Sequence, residues 1–132
     1  MSEAGVIRDY YERIVASDFP HLAEIGDNEM RVKAVRREDC HGNSQNLLFF
    51  SFKLEGGRLR DLKYECRYCD PTMYVTAELV SEVIGERYGA RPRSIDDEDI
   101  ERALGGKSRR VLRLARGALS LLDDAIAEQI DR

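Results

Sequence analysis

The chain has 132 residues, 21 basic and 25 acidic side chains, a net charge of −4 and three cysteines. An apolar fraction of 42% beside a charged fraction of 35% suits one globular domain, residues 1–132, with its own core and a heavily charged surface. The acidic balance argues against a nucleic-acid surface, and no run approaches the roughly 20 apolar residues of a membrane span. Met1-Ser2-Glu3-Ala4 begins no signal peptide, and an odd cysteine count speaks against a disulfide framework. The expected location is cytoplasmic.

Residues 4–16 predict a first helix, with Val6, Ile7, Tyr10, Tyr11, Ile14 and Val15 recurring at helical spacing. Ser17-Asp18-Phe19-Pro20 ends it, and His21 to Asn28 reads as a loop. Met30, Val32 and Ala34 alternate through a first strand at residues 29–37. Glu38 to Asn46 is a polar loop holding Asp39, Cys40 and His41. Leu47 to Leu54 is a second strand with Leu48, Phe50, Phe52 and Leu54 on one face. Gly56-Gly57 supplies a hairpin turn, and a third strand runs from Leu59 to Cys66, where Leu62, Tyr64 and Cys66 share a face.

Asp70 then stands where an N-cap belongs, with Pro71 at the first helical position. The helix carries Met73, Val75, Ala77, Leu79, Val80, Val83 and Ile84 towards Tyr88, before Gly89 and Pro92. Ser94 or Asp96 caps a short helix whose acidic run, Asp96 to Asp99, suits its positive end. A long last helix over 107–130 buries Val111, Leu112, Leu114, Leu119, Leu122, Ala125, Ile126 and Ile130. Its Lys107, Arg109, Arg110, Arg113 and Arg116 read as a solvated face that could also receive an acidic partner. A meander followed by helices predicts an α+β fold, a three-stranded antiparallel sheet with helices on one face and the last helix crossing it.

The chemistry concentrates in Cys66-Arg67-Tyr68-Cys69. The spacing suits a metal-binding or a redox pair, and Cys69, beside the unpaired N–H groups of a helix start, should have a lowered pKa. A thioredoxin-like dithiol would need a βαβ context, which this order of elements does not provide. A zinc knuckle would need a second ligand pair, which Cys40-His41 offers only approximately. Three thiols with an oxygen or imidazole ligand suit zinc or an iron–sulfur cluster equally by type. The plain alternative leaves Cys66 a core residue. The meander turns both Cys40 and Cys69 towards one end of the sheet. No nucleophile elbow, Walker loop or dinucleotide fingerprint is present.

The order of these segments resembles the NifU/IscU-type iron–sulfur cluster scaffold proteins. Val6-Ile7-Arg8-Asp9-Tyr10 matches a segment of their first helix, and Cys40-His41-Gly42-Asn43 stands where they have a Cys-Gly-Asp loop. Leu59-Arg60-Asp61-Leu62-Lys63-Tyr64 leads to Cys69 as a similar pattern leads to their second cysteine. Leu79-Val80-Ser81-Glu82 matches a later helical segment. The resemblance spans about residue 6 to residue 130. It implies a scaffold rather than an enzyme, one that holds a cluster, [2Fe-2S] by type, through Cys40, Cys66 and Cys69. Asp39, His41 and Asp70 are candidates for the remaining metal ligand. A cysteine desulfurase and cluster-acceptor proteins are the implied partners.

The departures are specific. The family's third cysteine lies early in the last helix, around Arg110 to Arg113 here, and this chain has none there. Cys66 stands where the family usually has no cysteine, so the resemblance implies that it replaces the missing ligand. A zinc-binding sulfur-acceptor or sulfur-transfer protein on the same fold, and an interaction module that has lost the site, are the alternatives.

Overall fold

The computed structural model describes residues 2–24, 31–33, 47–55, 58–67, 69–86 and 91–130. The first helix, α1, is Glu3–Ala16, and the Ser2 hydroxyl caps it by accepting the Gly5 N–H at 3.1 Å. Val6, Tyr10 and Ile14 are its buried stripe, whereas Val15, expected within it, is 51% exposed.

The strands are β1, Arg31–Lys33, β2, Leu47–Glu55, and β3, Arg58–Arg67. The expectation of a three-stranded sheet needs correction. The body of the sheet is a two-stranded antiparallel hairpin of β2 and β3, and among the described residues β1 adds a three-residue edge, pairing with Phe49 to Ser51. Val32 is the apolar residue of the three described in β1. Met30 and Ala34, the other apolar positions expected for this strand, lie outside the described residues.

Leu48 and Phe50 lie opposite Cys66 and Tyr64, and Leu48, Phe50, Leu62 and Tyr64 are buried together. The register slips by one residue between Ser51 and Lys53. Asp61 there has φ 53°, so two residues of β3 face one of β2 in a bulge. The bulge resets parity. Leu59, odd-numbered, and Leu62 and Tyr64, even-numbered, all become buried.

Helix α2, Pro71–Glu86, is the centre of the molecule. Nearly every position from Thr72 to Ile84 is buried, because β3, α1, α3 and α4 all pack around it. Helix α2 packs on β3, and the last helix, α4, Arg109–Ile130, packs on α2 and meets the sheet at β1. Asp96 and Asp99 form a reciprocal capping box at the start of α3, Asp97–Leu104, which assigns the acidic run to capping. Ser94 instead closes a 3-10 turn at Pro92–Ser94.

The segment after α1 returns to the sheet. Asp18 and Phe19 both adopt positive φ, 58° and 47°, turning the chain so that Leu22 bridges Tyr64 in parallel. The Tyr64 N–H donates to the His21 carbonyl at 3.0 Å, and the Ala23 N–H donates to the Tyr64 carbonyl at 2.9 Å. No helix among the described residues is long and apolar enough to cross a membrane.

Candidate functional site: a dithiol corner between strand and helix

Strand β3 ends at Arg67 and α2 begins at Pro71, so Cys66 and Cys69 stand on either side of a short corner. Both are free, partly buried thiols packed against the core. They hydrogen-bond to each other, and the contact acts oppositely on the two sulfurs. The bond from Cys66 holds the Cys69 thiol below its ordinary pKa, against the opposing pull of burial. The same bond, together with burial, pushes Cys66 far up. One neutral donor therefore sits beside one sulfur that favours the thiolate. In its neutral form Cys69 can donate to the carbonyls of Leu47 at 3.6 Å and Arg67 at 3.7 Å.

Asp70 acts as the cap of α2. One carboxylate oxygen accepts the Met73 N–H at 2.9 Å, and its backbone carbonyl accepts from Met73 and Tyr74. The other oxygen lies 3.4 Å from an Arg110 guanidinium nitrogen. As a candidate ligand it is thus already committed on both oxygens. Burial, followed by the charges of Cys66 and Cys69, raises the Tyr74 phenol. Phe19 meets the Tyr74 ring edge-on at 5.5 Å, giving the corner an aromatic wall.

Asp39, Cys40 and His41 lie outside the described residues. The described residues on either side of their segment are Lys33, paired with Phe49, and Leu47, paired with Arg67. Leu47 therefore begins β2 at the dithiol end of the sheet, and its carbonyl is the one near Cys69. Among the described residues no three His, Cys, Asp or Glu side chains gather to hold a metal ion.

A second polar cluster escapes sequence reasoning. Glu78, 3% exposed, accepts the His21 backbone N–H at 3.1 Å and the Tyr64 hydroxyl at 2.9 Å. Its other oxygen lies 2.8 Å from His21 Nδ1. Burial alone would raise this carboxyl, but the His21 and Tyr64 hydrogen bonds outweigh it and leave the pKa lowered. One turn on, Glu82 accepts the Tyr10 hydroxyl. His21, Glu78, Tyr10 and Glu82 share a cleft of about 250 Å³. The available signal was the placing of two acids, Glu78 and Glu82, inside the largely apolar stretch from Val75 to Val83.

No protein-family model matches the chain, and no curated protein matches it.

Proposed function

We propose that the protein is a thiolate scaffold on which an iron–sulfur cluster is assembled and from which it is passed on. The observation that supports this best is the pairing of two partly exposed thiols with opposite proton preferences at a strand–helix corner. A loading platform needs sulfurs that can take iron and sulfide and still release them, and a closed four-ligand cage would not do so. Cys66 and Cys69 supply two ligands from adjacent backbone. Cys40 would supply the third, and Asp39 or His41 is the candidate for the remaining ligand. Asp70 holds the helix start and, through Arg110, its approach to α4.

On the resemblance to the NifU/IscU type, the region of the family's helical cysteine corresponds to the first turn of α4. In this chain that turn carries Arg110, paired with Asp70. The proposal therefore moves one ligand from helix to strand. A cysteine desulfurase would deliver sulfur to these thiols, and acceptor proteins would take the cluster.

The test is anaerobic purification followed by iron, zinc and acid-labile sulfide analysis, before and after reconstitution. Iron with sulfide is expected, falling at least tenfold in Cys66→Ser, Cys69→Ser and Cys40→Ser variants that remain folded. Zinc without sulfide would shift the reading to a sulfur-acceptor protein. No metal after reconstitution would leave an interaction module.

A further inference from the structure

Two free thiols three residues apart, at one strand–helix corner and both partly open to solvent, have a chemistry that needs no metal. We infer that Cys66 and Cys69 form a redox-active dithiol that hydroperoxides convert reversibly to a disulfide. Strand β3 ends one residue after Cys66 and α2 begins two residues after Cys69, so a single short corner carries both sulfurs, and a disulfide between them needs a separation of about 2.05 Å. Among the described residues no third metal-ligating side chain locks the pair in a closed cage. Nothing in the described corner beyond the weak carbonyl contacts of Cys69 holds the two sulfurs apart.

The chemistry balances in two steps. One sulfur attacks a peroxide oxygen, an S–O bond forms, the O–O bond breaks, and the leaving hydroxide or alkoxide takes up the thiol proton. The second sulfur then displaces that oxygen, so the S–S bond forms, the S–O bond breaks, and water departs with the second proton. Two electrons have passed from the thiols to the peroxide, and a dithiol reductant returns them. If the corner is also the loading site proposed above, the oxidised form has no thiolate from this pair to offer a metal.

Peptide mapping reads this directly. Trypsin cuts after Lys63, Arg67 and Arg87, so Cys66 and Cys69 leave on separate peptides, Tyr64 to Arg67 and Tyr68 to Arg87. Cys40 leaves on a third, Glu38 to Lys53. The reduced, metal-free full-length chain is treated with one equivalent of hydrogen peroxide and digested without reductant. The expected result is a covalent pair of the first two peptides, reversed by dithiothreitol. Titratable thiols should fall from three to one. The Cys40→Ser variant should give the same linked pair, and should fall from two thiols to none.

Linkage of the Cys40 peptide to either partner overturns the inference, as does oxidation of single cysteines to sulfinic acid without a link. A link formed in a protein that binds no metal on reconstitution sinks the scaffold reading and leaves the dithiol standing. Full cluster loading in a protein that forms no link does the reverse.

Discussion

Glu78 is a carboxylate in the middle of the most buried helix, and it keeps its charge because donors from two other segments reach it. Replacing it with Gln removes the charge that draws the His21 ring and leaves at least one buried donor poorly matched. Glu78→Gln should cost about 1–3 kcal/mol at neutral pH, read from the urea midpoint. The pH dependence has a definite sign. The folded-state pKa lies below the ordinary value of 4.5, so the unfolded chain takes up the proton first as pH falls. The carboxylate's contribution is therefore complete above about pH 4.5 and is lost as pH drops through the lower native value. The gap between wild type and Glu78→Gln should accordingly narrow in acid. Local periodicity could not reveal this residue, because its partners stand 57 and 14 positions away in the chain. Asp70, by contrast, was legible from its neighbours alone, since a cap followed by proline is a local pattern.

At the level of elements, β3 shows where a period-2 reading succeeds and where it breaks. Leu62, Tyr64 and Cys66 share one face as alternation requires, but Leu59 joins that face only because the bulge at Asp61 inserts a residue. The spacing of Leu59 and Leu62, three apart in a strand, was the visible trace of it. Aspartate tolerates the left-handed conformation better than a β-branched residue does. Asp61→Val should therefore destabilise by about 1–2 kcal/mol, while Asp61→Gly stays within about 0.5 kcal/mol of wild type in the same denaturation assay. Equal losses for both would mean that the side chain, through its exposed approach to Lys53, matters more than the backbone. The first strand is described only at Arg31–Lys33, where it pairs with β2, and the rest of the expected span lies outside the described residues.

For the molecule as a whole, the helical hub at α2 was visible as a helix with apolar residues on most of its sides. A helix apolar on most sides needs neighbours on most sides, and that requirement places α2 between β3 and the other helices. The thiol corner was legible as a strand end followed by a cap. The lowered pKa of Cys69 was expected from the helix start, but its main cause is the neighbouring Cys66 thiol, and the raised pKa of Cys66 comes from the same contact. Helix α1 is fitted to the α3–α4 connection very closely: a Cβ on Gly106 would fall 2.7 Å from a Val6 methyl carbon. Valine on a helix has little rotamer freedom with which to yield. Gly106→Ala should cost about 1–3 kcal/mol, and combining it with Val6→Ala should recover about 1 kcal/mol or more relative to the sum of the single changes. Strict additivity in that cycle would show that α1 shifts as a body instead. The bridge from Leu22 to Tyr64 bears on association. A strand with an open edge is a template for a second chain, and β3 has its own chain laid along that edge at Tyr64, two residues before the first thiol of the corner. If residues 21–23 peeled away, the edge of β3 at Tyr64 would be free to pair with another chain, so the His21–Glu78 contact, which ties this segment to α2, also bears on self-association.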